Sequence, residues 1–295
     1  MNSTVNEESN RALENEIADL ELRLQRAKER LAKSETTNPQ HSIPSSPSAQ
    51  SAHHYLLLLS DSALPLGSFA FSSGLESYLA HTRRTRTVSA APSSSFSSFL
   101  PLSLSSYAST TLPFVLAAYR DPDPGNVARL DDTLDAAIIC SVGRRASVAQ
   151  GRALLSIWEK SIATTVDPKA RLRPFAELLR SSSSSSSTGR LPPVSAHLAP
   201  LFGAVAALCG LSLRQTSYVF MLSHVKALVS AAVRAGQFGP YQAQRILAGA
   251  EVQMYLEAVI EREWRTPIEE AGQTVPVMDL WFGRHELLYS RIFNS

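Results

Sequence analysis

The sequence predicts an all-α fold: a helical bundle domain with an N-terminal coiled-coil extension and disordered Ser-rich insertions. Apolar residues recur at intervals of three and four, the period of a helix, and no convincing alternation of apolar and polar residues indicates a strand. Helix boundary signals agree with this pattern. Ser212 can cap a long helix that runs through Ala232, Gly236 can end it, and Gly239 with Pro240 can begin the next one.

The first predicted element is a short coiled-coil helix over residues 1–35. Its apolar residues alternate four and three apart, as at the a and d positions of a heptad: Leu13, Ile17, Leu20, Leu24, Ala27 and Leu31. Acidic residues precede basic ones, which suits the helix macrodipole and favours an antiparallel partner. A solitary amphipathic helix that lies on the main domain is the alternative. Residues 36–50 are rich in Ser, Thr, Pro and Asn, which is typical of a linker.

The main domain is predicted over residues 51–295, with a disordered insertion at 181–193 that contains a run of serines. Residues 191–213 contain no Asp, Glu, Lys or Arg and reach the length that a membrane span needs. Three prolines interrupt this stretch: Pro192, Pro193 and Pro200. We therefore expect a buried core helix that begins after the prolines, and no membrane partner.

Composition and charge exclude several classes of protein. With 295 residues, 44% of them hydrophobic, the chain can bury a substantial core. A formal net charge of +2, without a basic stripe, argues against a nucleic-acid partner. Cys140 and Cys209 lack the spacing of a disulfide framework or a zinc knuckle, and the polar N-terminus shows no signal peptide. We expect a cytoplasmic protein.

The segment 56–76 is the most unusual in the chain. Its glycines do not form a phosphate-binding loop, because Gly74 is followed by Leu75 and not by lysine. Structural roles account for most of the segment. We assign these roles to Asp61, Pro65 and Gly67 in a turn, and to Ser73 and Glu76 in a capping box for the next helix.

Aromatic residues outside the helical pattern indicate a docking surface. Phe69 and Phe71 stand in the 56–76 segment without a structural role. Residues 280–295 have an apolar content unlike that of an ordinary chain end, so this C-terminal segment either packs back on its own domain or enters a partner. Arg284 and Arg291, seven residues apart, share a helical face, and arginine with aromatic residues is typical of interfaces.

No catalytic or metal-ligating residue is predicted. Ser223 to Lys226 reads S-x-x-K, but the K-T-G motif of serine acyl-enzymes is absent, and Lys226 on a helix would be solvated. His285 and Glu286 begin like a zinc-protease motif, but Tyr289 stands where the second histidine belongs.

Four segments, in order along the chain, resemble the urease accessory protein F family. The resemblance is to a eukaryotic member of the fungal type. They are SDSALPLGSFAFSSGLE from Ser60, RRASVAQGRALLSIW from Arg144, HLAPLFGAVAALCGL from His197 with SAAVRAGQFGPYQAQ from Ser230, and RHELLYSRIFNS from Arg284. The resemblance covers residues 55–295 and leaves out the coiled coil and the serine insertions. The family usually has a second glycine after Gly67, where this chain has Ser68.

The resemblance implies an all-α dimeric scaffold that is not an enzyme. In that family the protein binds accessory protein D, called H in some bacteria, and recruits or modulates the accessory GTPase G on apo-urease, which then receives nickel. GTP belongs to the partner, nickel is handled by the complex, and no cofactor is permanently bound. Arg291 is similar to a family arginine that helps recruit the GTPase, and the C-terminal segment is similar to one that orders on binding protein D. The candidate partner-binding residues are then Phe69, Phe71, Trp281, Phe282, Arg284, His285, Glu286, Tyr289, Arg291 and Phe293.

Three functional hypotheses follow. The first is a chaperone for nickel insertion that works by protein contacts. The second is a coiled-coil adaptor unrelated to nickel, in which the helix at 1–35 carries the function. The third is a serine hydrolase that uses Ser223 and Lys226.

Overall fold

A computed structural model of the chain describes residues 49–82, 92–166, 172–184 and 194–294, together with Gln25. The chain divides into two compact units, residues 1–46 and 47–295, and all described residues except Gln25 belong to the second. The predicted coiled-coil helix over 1–35 and the linker up to residue 48 lie outside the described residues, as does 185–193 of the predicted insertion. The all-α prediction is confirmed, since no strand occurs among the described residues.

Two of the described helices are long, Pro92–Arg120 and Leu213–Arg234, and the others are short to medium in length. In chain order, the helices are α1 (Ala49–Ser60), α2 (Leu75–Thr82), α3 (Pro92–Arg120), α4 (Pro124–Ala137), α5 (Ser141–Ile157), α6 (Ala163–Val166), α7 (Arg173–Ser184), α8 (Leu198–Leu208), α9 (Leu213–Arg234), α10 (Pro240–Ala248), α11 (Ala250–Glu263) and α12 (Val277–Arg284). Short 3-10 helices lie at Ser68–Ala70, Ile268–Glu270 and His285–Leu287, and a π-helical turn, Trp158–Ile162, joins α5 to α6. Because α7 continues through Ser184, the first serines of the predicted insertion are helical.

The centre of the domain is the contact between α3 and α8, which is the most extensive contact between two helices. Residues from Leu198 to Ala206 on α8 are all buried. A Cβ atom added at Gly203 would lie 2.2 Å from the Val115 carbonyl oxygen, so the two backbones meet directly. The predicted core helix is present and is shorter than a membrane span needs, but it begins at Leu198, after Pro193 and before Pro200. Pro200 lies in the first turn, where the missing amide costs no hydrogen bond within the helix.

Helix α9 begins and ends where the sequence signals predict. Ser212 Oγ accepts the Gln215 amide at 3.2 Å, and Gln215 Oε1 accepts the Ser212 amide at 2.9 Å, which completes a capping box. Gly236 follows the helix with φ +70°, and Pro240 opens α10 directly after Gly239. Helix α9 is long and apolar enough to cross a membrane, but 61% of its most apolar window is buried inside the domain, as in a core helix.

One buried carboxylate, Asp131 on α4, fixes the approach to α8. It accepts the backbone amides of Ser195 at 2.6 Å, Ala196 at 3.1 Å and His197 at 2.5 Å. Ala196 has φ +69°, a strained value for a residue with a side chain, and the Asp131 hydrogen bonds hold it there. On the same helix, Asp135 lies 2.7 Å from His197 Nε2 and accepts two hydrogen bonds from Arg144. Although burial raises the pKa of Asp135, these partners outweigh it and lower the pKa overall.

Candidate docking surface

The segment before α2 forms the predicted turn and then a short helix. Asp61 Oδ1 accepts the Ala63 amide at 2.9 Å, and Gly67, with φ +73°, precedes the 3-10 helix at Ser68–Ala70. Ser68, at the position where the family usually has glycine, starts that helix and donates its hydroxyl to Gln150 Oε1 at 2.9 Å. This position therefore needs no glycine.

The two loop aromatics point in different directions. Phe69 is 67% exposed, whereas Phe71 is half-buried and lines a cavity inside the domain. The carbonyl of Phe69 accepts a hydrogen bond from the Arg234 guanidinium, which reaches it from the last turn of α9. Only Phe69 is therefore available to a partner at this loop.

The predicted capping box of Ser73 and Glu76 does not form. The Glu76 amide is donated to Ser72 Oγ at 3.3 Å, and Ser73 has φ +51°. The Glu76 carboxylate does not bond to the backbone of its own helix, because hydrogen-bond donors near the C-terminus of the chain bind it instead. Sequence spacing identified an important residue here and assigned it the wrong partner.

Glu76 is the anchor of the C-terminal tail, which we define as residues 285–294. Its Oε1 accepts the Ile292 amide at 2.6 Å, and its Oε2 accepts the Phe293 amide at 3.2 Å. Oε2 also lies 3.0 Å from His285 Nε2. The His285 side chain is fully buried and that of Glu76 is 11% exposed, so the contact between these two side chains is largely shielded from water. Charge-assisted hydrogen bonds of this kind are the stronger class.

Helix α12 leads into the tail and packs against α2. Trp281 meets the Tyr78 ring edge-on, with centroids 5.4 Å apart, and the Arg284 guanidinium lies over the Trp281 ring. Gly74, with φ +82°, allows the close approach, because a Cβ atom there would lie 3.3 Å from the Trp281 Cβ. Phe282 is half-buried and lines the same cavity as Phe71.

The end of the tail is held by the 56–76 segment and by α9. The Asn294 amide is donated to the Ala70 carbonyl at 2.8 Å. Phe293 is only 4% exposed, and the Arg234 guanidinium lies 4.3 Å above its ring, so one arginine contacts both the loop and the tail. Of the two alternatives left open by the sequence, packing back on the domain is therefore the arrangement in this structure.

Arginine residues form the polar part of this surface. Glu286 accepts hydrogen bonds from Arg145 of α5 and, at 2.8 Å, from Arg291 of the tail. The hydrogen bonds from Arg145 and Arg291 lower the pKa of Glu286. Two cations share one carboxylate, which leaves a net positive charge beside the apolar residues of the tail.

The outer face of the tail is apolar and exposed. The large apolar residues on it, with those of the adjoining loop and helix, are Phe69, Leu280, Leu287, Tyr289 and Ile292. We call Phe69, Leu287, Tyr289 and Ile292, with Arg145 and Arg291, the docking surface. The hydrogen bonds of Glu76 and Ala70 bring the tail and the loop together there. Gly239 and Pro240, at the start of α10, have only their structural role.

The candidate residues from the sequence did not include Leu287 and Ile292 of the docking surface. They also lacked two arginines from elsewhere in the chain, Arg145 and Arg234. Each acts on a residue more than 140 positions away in the chain. The sequence signal available for Arg234 was its place in the last turn of α9, where a cation suits the helix dipole. Nothing in the local pattern connects it to Phe293.

A cavity of about 450 Å³ lies behind α12, lined by aliphatic and aromatic residues together with several hydroxyl groups. Its bulkiest lining residues are Phe71, Tyr107, Phe202, Phe220, Met278 and Phe282. His224 stacks on Tyr107 in this cavity, with ring centroids 3.9 Å apart, and burial lowers its pKa to about 3. His224 is therefore neutral at physiological pH.

The hydrolase constellation is not assembled. The Lys226 ammonium donates to the Ser60 carbonyl at 2.6 Å, and no hydrogen bond joins it to Ser223 among the described residues. Lys226 is therefore part-buried and bound, not solvated as the sequence pattern predicted. Within the described ranges, no group of three or more His, Cys, Asp or Glu residues could hold a metal ion.

The fold and the surface together define a class of protein. It is an all-α protein with an exposed patch of aromatic, aliphatic and arginine residues, the composition typical of protein interfaces. The UreF family model matches residues 92–251. A relative from Schizosaccharomyces pombe, described as an uncharacterized urease accessory protein UreF-like, is 38% identical over 247 residues, which cover 84% of this chain and 99% of the relative. Urease accessory protein F of Arabidopsis thaliana is 33% identical, over 80% of this chain and 90% of its own length. Urease accessory protein 6 of Cryptococcus neoformans is 26% identical over 84% of this chain and 98% of its own.

The chain therefore belongs to the UreF family of urease accessory proteins, as the sequence motifs predicted.

Proposed function

We propose that this protein is a non-catalytic scaffold for urease maturation that works in the cytoplasm as a homodimer. It binds accessory protein D or its counterpart H, and it recruits or modulates the accessory GTPase G on apo-urease. The complex inserts nickel, so neither nickel nor GTP is a permanent cofactor of this chain. The urease role is supported by relatives named urease accessory protein F that align with four-fifths of the chain.

The observation that carries this proposal is the docking surface. Phe69, Leu287, Tyr289 and Ile292 are exposed, although the tail that holds three of them is fixed at both ends. Exposed apolar residues on an ordered segment are costly unless a partner covers them. The partner face that matches this surface is an apolar groove with acidic residues at its rim. We assign this face to accessory protein D.

The GTPase contact is assigned to Arg291. Its guanidinium is 43% exposed and is held only by the exposed Glu286 among the described residues, so its loss leaves the core intact. We expect Arg291→Ala to keep the fold and to lower co-purification of the GTPase by about tenfold or more, the effect of losing an interface hot spot. Arg214→Ala is the matched control, since Arg214 is 47% exposed, pairs with Glu257 and Glu261 of α11, and lies at the end of α9 opposite Arg234. Equal recovery of the GTPase by both variants would contradict the assignment.

Urease itself provides the test of the whole proposal. In host cells that lack this protein, we expect apo-urease without nickel and without activity, and restoration of both by the full chain. A chain that begins at Pro47 separates this proposal from the adaptor hypothesis, because the scaffold needs little of residues 1–46 and the adaptor needs all of them. Fully nickel-loaded urease in cells without the protein would refute the scaffold.

A further inference from the structure

A second cluster of polar side chains lies apart from the docking surface, where α4, α5 and the start of α8 meet. His197 is at its centre, and its side chain is fully buried. His197 Nε2 lies 2.7 Å from Asp135 Oδ1, and its Nδ1 lies 3.0 Å from Ser147 Oγ. Asp135 and Ser147 are 62 and 50 positions away from His197 in the chain, so no sequence motif connects the three residues.

The partners of His197 determine which nitrogen of its neutral ring carries the proton. Although burial raises the pKa of Asp135, the hydrogen bonds from Arg144 and His197 lower it overall, so this carboxyl group is ionised at neutral pH. An ionised carboxylate only accepts hydrogen bonds, so Nε2 carries the proton and donates it to Asp135. Nδ1 is then an acceptor, and the Ser147 hydroxyl donates to it.

This arrangement is the one that activates a serine as a nucleophile: a hydroxyl bound to a histidine, which a carboxylate orients. It is recognised by geometry and not by the order of the residues in the sequence. The imidazole of His197 can accept the Ser147 proton, and Asp135 stabilises the imidazolium that forms. The Leu198 amide, in the first turn of α8, is donated to Ser147 Oγ at 3.4 Å. Amides in a first turn have no acceptor within the helix, and they favour negative charge beside them.

Ser147 also lines the cavity of about 450 Å³, a volume in the range of small-molecule sites. Ile139 lines the same cavity and is 87% exposed, so the cavity reaches solvent at the turn between α4 and α5. Among the described residues no Lys or Arg lines the cavity, whereas Asp279 does. An anionic ligand would find no cation there. Because Phe202 and other apolar residues form much of its wall, the cavity suits a neutral, apolar group.

We propose that Ser147 is a nucleophile that accepts an acyl group, with His197 as its base and Asp135 as the residue that positions the base. Ser147 Oγ attacks the carbonyl carbon of a neutral, apolar ester, and the hydroxyl proton passes to His197 Nδ1. The bond from the carbonyl carbon to the leaving oxygen then breaks, and Nδ1 gives the proton to that oxygen. The products are an ester of Ser147 and a free alcohol.

The acyl group stays on Ser147, because the buried ring of His197 leaves no room for the water that would remove it. Ser147 is therefore a modification site on a protein that does not turn over a substrate. The inference does not rest on the proposed function. It does not rest on the tail either, since α4, α5 and α8 supply all three residues of the cluster.

The test uses the full-length protein and p-nitrophenyl hexanoate in mildly alkaline buffer, where an ordinary imidazole is neutral. We expect a burst of about one equivalent of p-nitrophenolate per chain, the sign of an acyl intermediate that accumulates. Peptide mass spectrometry should place one hexanoyl group on Ser147. Ser147→Ala should lose this group and keep the fold, because alanine is the best helix former.

Two variants test the neighbours of Ser147. His197→Gln and Asp135→Asn should each slow acylation of Ser147 by about a hundredfold or more, the contribution of a positioned base. The Asp135 side chain is 29% exposed, so Asp135→Asn decides the question if His197→Gln does not fold. Asp132→Asn is the matched control, since Asp132 is an exposed carboxylate on the same helix, and it should react like the wild type.

Acylation of surface lysines or histidines with Ser147 unmodified would overturn the inference. Acylation of Ser147 at the wild-type rate in Asp135→Asn would do the same, because a serine that needs no oriented base is not activated by this cluster. Release that continues after the burst and is lost in Ser147→Ala would confirm the nucleophile. It would also show turnover, and so contradict both the lasting ester and the non-catalytic part of the proposed function.

Discussion

Changing each of the neighbouring residues Ile292 and Phe293 to alanine should affect a different property. Phe293→Ala should release the tail from the domain, whereas Ile292→Ala should weaken binding of protein D. Phe293 is buried beneath Arg234, whereas Ile292 faces solvent. Burying a phenylalanine side chain contributes roughly 1.5–3 kcal/mol, and a cation over its ring adds about 0.5–2 kcal/mol. Phe293→Ala should therefore raise the open population of the tail at least ~30-fold, the factor that 2 kcal/mol represents.

Ile292→Ala removes little that is buried, so the tail should stay docked, with a change in stability within about 0.5 kcal/mol. Its effect should appear in binding, where the loss of an exposed apolar contact lowers the affinity for protein D by about tenfold. Hydrogen exchange of the tail and titration with protein D measure the two effects separately. The melting temperature of the domain should change little in either variant, because the tail opens locally without unfolding the core. If both variants release the tail equally, or if Ile292→Ala alone releases it, the assignment of Phe293 as the buried contact of the tail is wrong.

Two further predictions concern the core. Gly203→Ala should destabilise the domain by about 3 kcal/mol or more, since its Cβ would overlap the Val115 carbonyl. Gly283→Ala should stabilise it by up to about 1 kcal/mol, because a Cβ there meets no atom within 4 Å. Chemical denaturation measures both changes, and similar effects of the two variants would contradict the packing of α3 on α8. Burial lowers the pKa of His224 from 6.5 to about 3. Between pH 6.5 and pH 3, His224 is therefore protonated in the unfolded chain and neutral in the folded chain, so the free energy of unfolding should fall as the pH falls below 6.5. The slope should approach ~1.4 kcal/mol per pH unit for one proton, and a urea titration of His224→Gln that shows the same slope as the wild type would exclude this cause.

The helices were predictable where their signals are local. The capping box of Ser212 and the Gly236 stop lie within a few residues of the helix ends that they determine. The buried helix α8 was also predicted, although it begins before Pro200 and not after it. Long-range contacts were not predictable in this way. Glu76 carries the spacing of a capping residue, yet its carboxylate binds amides more than 200 positions away, because a tertiary donor can displace a local one.

For the aromatic residues near the docking surface, the sequence likewise predicted the segment but not the exposure of each side chain. Composition alone marked the loop and the C-terminal segment as unusual, and both proved to lie together. It could not separate Phe69 from Phe71, or Ile292 from Phe293, because which neighbour is exposed depends on the direction of the backbone at each residue. Arg234, which joins the two segments, is an ordinary helix-terminal cation in the sequence.

The carboxylate of Asp131 has a consequence for how this chain tolerates changes in length. It fixes the backbone of residues 195–197 by three hydrogen bonds directly before α8, the helix at the centre of the core. We therefore expect that residues added between Ser184 and Val194 leave the position of α8 unchanged, because the hydrogen bonds of Asp131 set that position after the point of insertion. This interval is a suitable place to insert a label or a reporter domain.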